Sequence, residues 1–484
     1  MTDDNVTKRT ALIISCLGSF MPPFMGSSVN LALPSIGREF HMDAVMLGWV
    51  ATAYLLAAAM FILPFGRAAD IYGRKKIYTA GIIVFSIGSL LITLSNSETM
   101  LLTFRVVQGV GGSMMAGTAV AILTSVFPPA ERGRALGINT ATTYTGLSLG
   151  PFLGGFLTHL FGWRSIFFFT LPFGLLIIVL VLWWLKGDWA GAKGETVDYP
   201  GSLLYGVVLV LLIYGLSRLP HKLGAVLLLI GVAGAVVFFV LESRVKSPVL
   251  HVEIFRRNIV FTFSNLAALI HYSATYSVAF LMSLYLQYIQ GMSPQKAGLI
   301  LIAQPVMMAL FSPLAGRLSD RIEPRIVASA GMACTSAAIF LFAFLSTGTG
   351  LPYIIGCLIL LGFGFALFSS PNTNAVMSSV IPRFYGVAAG MLGTMRAVGM
   401  MFSMGMAMMI FSLIMGKVQI TPEVFPLFMK SVRLAFAIFG VTCVIGTLFS
   451  LARGSVRAAE GGGPPGPPGG GPGPHPPAGA EARR

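Results

Sequence analysis

The stretch Gly66-Arg67-Ala68-Ala69-Asp70-Ile71-Tyr72-Gly73-Arg74-Lys75-Lys76 is a charged segment between two long apolar runs. It holds one acid and four bases, whereas charged residues make up only 10% of the chain. Its two glycines allow a tight turn between helices, and its bases favour one side of a membrane. A looser copy, Gly316-Arg317-Leu318-Ser319-Asp320-Arg321-Ile322-Glu323-Pro324-Arg325, lies in the second half. The repeat indicates an internal duplication, a feature of secondary transporters.

The composition of the 484-residue chain is that of a protein embedded in a lipid bilayer. Hydrophobic residues make up 55% of it and its mean hydropathy is +0.82, whereas soluble domains carry about 25% charged residues. The net charge of +15 does not indicate a nucleic-acid partner, because the bases lie mostly in short loops, where membrane orientation explains them. The four cysteines lie inside apolar runs, so we expect no disulfide and no metal site. No cofactor is expected either.

The apolar runs predict an all-α membrane protein, because a membrane-spanning helix needs about 20 apolar residues. Glycine or polar residues interrupt the fifth, ninth and thirteenth runs. We expect two pseudo-symmetric six-helix bundles with two helices inserted between them. The fourteen predicted spans are 10–36, 45–65, 76–95, 99–122, 134–158, 164–185, 199–217, 222–242, 258–289, 295–315, 325–346, 351–372, 384–415 and 428–452.

The distribution of bases predicts the orientation of these spans. An even number of spans places both termini on one side, and the loops on that side hold most of the lysines and arginines. Both termini are therefore expected in the cytoplasm, with the chain in the inner (cytoplasmic) membrane. The predicted units are the first bundle at 1–186, a linker with two extra helices at 187–250, the second bundle at 251–454 and a disordered Gly/Pro-rich tail at 455–484.

Several further motifs resemble those of the major facilitator superfamily, as do both charged turns. Arg105-Val106-Val107-Gln108-Gly109-Val110-Gly111 is similar to the helix-4 motif of that family, and Gly146-Leu147-Ser148-Leu149-Gly150-Pro151-Phe152-Leu153-Gly154-Gly155 to the helix-5 motif of its antiporters. Other segments resemble the fourteen-helix drug:proton antiporter branch, namely 30–34, 49–55, 371–374 and the segment around Arg396. The resemblance implies transport by alternating access, coupled to proton entry.

The sequence departs from that branch in the first helix. The branch commonly carries an aspartate five residues before the helix-1 asparagine, and this chain has Met25 there. All the acidic residues that the chain does have lie in predicted loops or near predicted helix ends. In cation-exporting relatives, membrane carboxylates bind the proton or the cationic drug. The departure therefore leaves both the substrate charge and the coupling site open.

The resemblance implies a conformational latch at the two charged turns. Asp70 would grip the end of a second-half helix when the cytoplasmic side is closed. The alternative is a solvated loop that only sets membrane orientation. The predicted latch residues are Gly66, Asp70, Gly73, Arg74, Gly316, Asp320 and Arg321.

Three basic side chains inside predicted spans are candidates for a proton relay or an anion anchor, namely Arg105, His271 and Arg396. A charge within a span is costly and commonly marks a transport pathway, and histidine can carry a proton near neutral pH. The alternatives are arginines that reach to the membrane surface and a histidine that is simply hydrogen-bonded. The helix-5 residues are expected to seal the two halves without touching substrate, and they are Gly146, Gly150, Pro151, Gly154 and Gly155.

Polar and aromatic residues within the spans predict a substrate cavity of mixed polar and aromatic character. Each could instead bridge neighbouring helices. The candidates are Asn30, Tyr54, Gln108, Asn139, Tyr144, Tyr272, Tyr276, Gln304, Asn372 and Asn374.

The sequence therefore predicts a secondary transporter that exports small amphipathic or drug-like compounds, coupled to proton entry, and that acts as a monomer. One alternative is an exporter of an anionic metabolite or a lipid with weak or no proton coupling. Another is a membrane sensor that binds a ligand without transporting it. An enzyme is not expected, because the chain lacks a phosphate-binding GxxxxGK[ST] loop, an HExxH motif and paired acids within its spans.

Overall fold

The computed structural model describes residues 3–191, 194, 196–245, 250, 255, 258–380 and 385–454. Within these ranges the regular secondary structure is helical and contains no strand. The predicted tail at 455–484 lies outside the described residues.

Fourteen long helices correspond one to one with the fourteen predicted spans, so the predicted fold class is confirmed. All except α5 are long and apolar enough to cross a membrane, while α5 is rich in glycine and hydroxyl residues. The helices are α1 (Asp3–Phe40), α2 (Ala44–Tyr72), α3 (Arg74–Thr93), α4 (Glu98–Val126), α5 (Pro129–Phe161), α6 (Arg164–Trp183), α7 (Tyr199–Ser217), α8 (Lys222–Glu242), α9 (Ile259–Ile289), α10 (Pro294–Leu301 and Ala303–Arg321), α11 (Pro324–Phe342), α12 (Leu351–Ser378), α13 (Tyr385–Ile414) and α14 (Phe425–Ala452).

Short polar residues fix where several of these helices begin. Asp43 caps α2 by accepting a hydrogen bond from Met46 N at 2.7 Å. Ser97 caps α4 in the same way through Met100 N, at 3.3 Å. Such caps satisfy amide groups that have no partner inside the helix. Gly73 separates α2 from α3 with a φ of +115°, a conformation that side chains rarely allow.

The helices form two six-helix bundles, α1–α6 and α9–α14, with α7 and α8 inserted between them in the sequence. The bundles meet along two seams, one where α2 packs on α13 and one where α5 packs on α10. The inserted helix α7 lies on the first seam and contacts both α2 and α13.

The contacts between the bundles concentrate at one end of the helices. We call the end that holds Lys8 and Arg453 the termini end, and the other the opposite end. At the opposite end, Ala44 N donates to the carbonyl of Val418 at 3.3 Å. Gln287 Nε2 donates to the carbonyl of Leu31 at 3.2 Å. The opposite end is thus joined by hydrogen bonds between the bundles.

The termini end is packed less tightly around α5 and α13. Four glycines there would meet no atom within 4 Å if they carried a Cβ, namely Gly133, Gly137, Gly390 and Gly393. The two bundles therefore touch at the opposite end, whereas α5 and α13 have open faces toward the termini end.

Candidate functional site

Asp70 and Arg74 pair with each other at the turn between α2 and α3. The Asp70 carboxylate accepts hydrogen bonds from Arg74 Nε at 3.0 Å and Nη2 at 2.8 Å. Arg74 Nη1 also donates to the carbonyl of Ala121 at 3.1 Å and to Ser125 Oγ at 2.6 Å, both on α4. All four residues belong to the first bundle. In this state the predicted latch is held within its own bundle, with Gly66 facing open space beside it.

The counterpart turn between α10 and α11 is tied to α12. Ser319 Oγ donates to the carbonyl of Gly316 at 2.7 Å, and Asn374 Nδ2 donates to Ser319 Oγ at 3.2 Å. Arg321 lies exposed in the last turn of α10. The side chain of Asp320 lies outside the described residues, so its role in the latch stays a prediction.

Asp188 and Trp189, just after α6, fasten the α2–α3 turn. Arg74 N donates to the carbonyl of Trp189 at 2.9 Å, and Lys75 N donates to Asp188 Oδ1 at 3.2 Å. A Cβ at Gly73 would displace the Asp188 carboxylate from its present position, and the positive φ of Gly73 independently favours glycine there. This contact was not predicted, because nothing in the sequence distinguishes Asp188 from the other two acids of the segment after α6, Glu195 and Asp198.

We expect the Asp188→Ala substitution to lower the free energy of unfolding by about 1 kcal/mol, because α3 loses its cap. The ion pair of Asp188 with Lys76, at 3.7 Å, lies near the surface and adds little to this loss. Thermal unfolding of the detergent-solubilised protein measures the change. Glu423→Ala removes an exposed acid at the opposite end and serves as the control. Equal melting temperatures for the two variants would contradict the prediction.

Arg105 is completely buried in the first bundle. Its Nε donates to the carbonyl of Val50 at 2.9 Å and its Nη1 donates to Gln108 Oε1 at 2.6 Å. Gln108 Nε2 in turn donates to Ser89 Oγ at 2.7 Å. The guanidinium carbon lies 4.8 Å from the centre of the Tyr54 ring, which is cation–π distance. Groups on α2, α3 and α4 thus hold this charge inside the bundle.

His271 lies fully buried on α9 within a box of aromatic rings. Its ring centre is 4.1 Å from that of Phe368, 5.0 Å from Phe365 and 5.9 Å from Tyr272. Within the described part of the chain, neither ring nitrogen has a hydrogen-bond partner. Such an unsatisfied buried group costs about 1–3 kcal/mol. The predicted alternative of a simply hydrogen-bonded histidine does not describe this state.

Arg396, half-buried on α13, also lies near Tyr272. Its Nη2 donates to Thr373 Oγ1 on α12 at 2.6 Å, and its guanidinium carbon is 5.7 Å from the Tyr272 ring centre. Its Nε is buried and has no partner among the described residues.

Tyr144 joins this region from the first bundle. It packs with Leu147 against the cluster that contains Tyr272, and its hydroxyl is 3.4 Å from Ser369 Oγ on α12. We call Tyr144, His271, Tyr272 and Arg396 the central cluster. The structure thus brings together residues of both bundles that the sequence placed far apart.

Several other predicted cavity residues bond to neighbouring helices. Asn139 Nδ2 donates to the carbonyl of Ser15 at 3.0 Å, linking α5 to α1. Asn372 Nδ2 donates to the carbonyl of Ser264 at 3.2 Å, linking α12 to α9. Gln108 supports Arg105, and Asn374 holds the α10–α11 turn. In this state these side-chain amides bridge or support neighbouring helices, which is the alternative to lining a cavity.

The remaining predicted cavity residues lie near the centre or toward the opposite end. The carbonyl of Asn30 accepts a hydrogen bond from Ser283 Oγ across the bundles, at 2.5 Å. Tyr276 lies with its hydroxyl beside Gly26 of α1. Gln304 is half-buried on α10. Their contact with a substrate stays a prediction.

The helix-5 glycines bring α5 against two helices. A Cβ at Gly146 would lie 2.6 Å from the carbonyl oxygen of Phe20, and a Cβ at Gly154 2.6 Å from Ser28 Cβ, both on α1. Gly150 packs on the same helix, and its carbonyl accepts a hydrogen bond from Ser28 Oγ at 3.0 Å.

The same helix also contacts the second bundle. A Cβ at Gly155 would collide with the carbonyl of Pro294, and a Cβ at Gly298 with the carbonyl of Pro151. The backbones of α5 and α10 therefore touch at the opposite end, as glycine-lined helix crossings allow. This contact joins the bundles, and the sealing role expected of the helix-5 motif stays a prediction.

Arg453, which lies just beyond the last predicted span, is a buried charge. Its Nη1 donates to Asn372 Oδ1 at 2.8 Å and to Ser264 Oγ at 3.3 Å, and its Nη2 donates to the carbonyl of Pro324 at 3.0 Å. Burial lowers the pKa of Arg453 to about 10, which still leaves it charged at neutral pH. One side chain thus fastens α9, α11, α12 and α14 at the termini end.

The fold and the site define a secondary transporter built from two bundles within a membrane. The family model described as Major Facilitator Superfamily matches residues 15–240 and 264–479, and the chain belongs to this family. The members of this family are transporters, so the prediction that the chain is not an enzyme is confirmed.

Two curated relatives are similar over most of the chain. The riboflavin transporter RibZ of Clostridioides difficile (strain 630) is 31% identical over 403 residues, covering 83% of this chain and 87% of RibZ. The multidrug resistance protein Stp of Mycobacterium tuberculosis is 32% identical over 402 residues, covering 82% of this chain and 74% of Stp.

A solved structure gives the same fold. A bacterial homologue of the human lysosomal transporter Spinster, in an inward-facing and unoccupied conformation, superposes with a TM-score of 0.68 at 17% identity. The match covers 93% of this chain and 97% of that one.

Proposed function

We propose that this transporter exports small amphipathic, drug-like compounds by alternating access, coupled to proton entry, and that it belongs to the fourteen-helix drug:proton antiporter branch. The observation that supports this most is the uneven contact between the bundles. The opposite end is closed by backbone contacts at Gly155 and Gly298, whereas Gly137 and Gly393 face open space toward the termini end. A structure closed at one end and loose at the other is one of the two states that alternating access requires.

The state of the latch agrees with this proposal. Asp70 bonds to Arg74 of its own bundle while the termini end is loose. In the alternate state, Asp70 would leave this pair and grip the second bundle. An accessible ion pair is worth about 1 kcal/mol or less, so the exchange can bias the two states without trapping either.

The termini end is proposed to face the cytoplasm of a cell with an inner membrane, with the protein acting as a monomer. The abundance of lysine and arginine in the loops at this end supports the orientation. The proposed structural units are 1–186, 187–250 and 251–454.

Names of relatives support the class of cargo. RibZ is named a riboflavin transporter and Stp a multidrug resistance protein. Riboflavin and many drugs share a planar aromatic core, and the tyrosines and phenylalanines around Tyr272 are suited to stack on such a core.

Ethidium accumulation in pump-deficient bacteria that express the protein tests the proposal. We expect lower accumulation than in empty cells, restored by a proton uncoupler and lost in Asp70→Asn. A low accumulation that the uncoupler leaves unchanged would contradict proton coupling. Binding of compounds without flux from reconstituted vesicles would instead identify a sensor and overturn the transport proposal.

A further inference from the structure

The central cluster contains buried nitrogen atoms whose hydrogen-bonding capacity is unused. Both ring nitrogens of His271, and Nε of Arg396, are buried and have no partner among the described residues. Buried polar groups in proteins are normally satisfied, so each exception calls for an explanation. Both residues flank the same aromatic ring, that of Tyr272. A ligand group placed beside Tyr272 would give these atoms the partners they lack.

The surroundings of these nitrogens are aromatic. Phe365 meets Tyr272 edge to face, with ring centres 5.4 Å apart, and Phe368 lies against His271. Tyr144 of the first bundle packs on the same group. Walls of this kind favour a flat aromatic ligand, because ring contacts add about 0.5–1.5 kcal/mol beyond the burial of area. The contribution of Tyr144 means that such a ligand would touch both bundles.

The charge balance near the central cluster is positive. Arg396 lies in the middle of α13, whereas each described carboxylate lies within three residues of a helix end or outside the helices. Thr373 accepts a hydrogen bond from Nη2 of this guanidinium, and Nε has no partner among the described residues. A guanidinium binds a planar carboxylate through parallel hydrogen bonds, and it repels a cation.

We propose that the central cluster selects a planar aromatic carboxylate, which stacks on Tyr272 and Tyr144, pairs with Arg396 and places a second polar edge against His271. The inference rests on the proposed transport function and names its substrate class. It makes an organic anion the preferred cargo, and a planar aromatic cation such as ethidium a weaker cargo of the same transporter.

Binding of three ligands with the same ring and different charge tests this proposal. The full-length protein in lipid nanodiscs is titrated calorimetrically with 2-naphthoate, the neutral 2-naphthamide and the cationic 2-naphthylmethylammonium. We expect 2-naphthoate to bind at least about tenfold more tightly than the other two, because only it forms the charged pair. Equal affinity for all three, or a preference for the cation, would overturn the proposal.

Variants of Arg396 distinguish a specific guanidinium–carboxylate pair from a nonspecific attraction by positive charge. Arg396→Gln should remove the preference for 2-naphthoate, and Arg396→Lys should retain part of it, since lysine keeps the charge without the planar fork. Arg38→Gln removes one exposed charge at the opposite end of α1 and should leave the preference unchanged. Persistence of the full preference in Arg396→Gln would rule out the assigned anchor.

His271→Phe distinguishes a ligand group from a packing residue. Phenylalanine fills the aromatic box without unsatisfied nitrogens, so the melting temperature of the ligand-free protein should rise or stay equal. Affinity for 2-naphthoate should nevertheless fall several-fold. A lower melting temperature together with unchanged affinity would show that His271 only packs, and would remove it from the site.

Efflux from reconstituted vesicles tests the proposed transport separately from the proposed substrate class. Ethidium efflux without any preference for 2-naphthoate in binding would overturn the substrate class and leave the proposed transport standing. Selective binding of 2-naphthoate without efflux of either compound would support the site and overturn the transport.

Discussion

Replacing Gly298 by valine should reduce transport at least about tenfold, because the variant cannot close the opposite end. The space for a side chain at this position is occupied by the carbonyl of Pro151, and Gly155 meets Pro294 in the same way. Backbone atoms on both sides leave no flexible side chain to move aside. The two bundles would have to separate along the α5–α10 seam, and the protein would lose one of the two states that its cycle needs.

Substrate efflux from reconstituted vesicles measures the loss, and accessibility of a cysteine introduced near the seam reports its opening. Gly356→Val on α12 is the matched control, since a Cβ at Gly356 meets no atom within 4 Å. We expect the control to transport normally. Full transport by Gly298→Val would show that this crossing is not part of the cycle.

Replacing Arg453 by methionine should lower the free energy of unfolding by about 3 kcal/mol or more. The substitution keeps much of the side-chain volume but removes the donors to Asn372, Ser264 and Pro324, which remain buried without these partners. Each acceptor left unsatisfied costs about 1–3 kcal/mol. Loss of this one group would also free the ends of four helices at the termini end.

Arg433→Met on the same helix provides the comparison. Arg433 is exposed and donates one hydrogen bond, from Nε to the carbonyl of Leu345 at 2.6 Å. Water can replace that bond, so this variant should lose no more than about 1 kcal/mol. The melting temperatures of the two variants, measured in the same detergent, test this difference. A decrease for Arg453→Met no larger than for Arg433→Met would refute the assigned role.

The fourteen helices could be predicted because the membrane imposes one strong rule, that about 20 apolar residues must satisfy their own backbone. The rule identifies a span without any knowledge of its neighbours. It worked even for α5, whose glycine and hydroxyl residues make it the least apolar of the fourteen.

The partners of individual side chains could not be predicted in the same way. Asn139 and Asn372 are polar residues within spans, yet they bond to α1 and α9 rather than to a shared cavity. Arg453 looked like a loop residue because it follows the last apolar run, but it is completely buried. These outcomes depend on which helices are neighbours, and that information is not local in sequence.

The central cluster could likewise be predicted only in part. Tyr144, His271 and Arg396 could be picked out singly as polar or aromatic groups within spans. Their approach to a common ring follows from the packing of α5, α9, α12 and α13, which sequence spacing does not encode. The buried nitrogens of His271 and Arg396 that lack a partner among the described residues likewise depend on this packing.

The inserted helices make the molecule asymmetric toward the lipid. α7 covers the α2–α13 seam, with Leu216 against Gly405 of one bundle and Gly206 against Met60 of the other. The α5–α10 seam is not covered by α7 or α8 in this way. A compound dissolved in the bilayer would therefore find one sideways route to the centre obstructed and the other exposed to the hydrocarbon phase. The side on which cargo leaves the lipid would be fixed by two helices that lie outside both bundles.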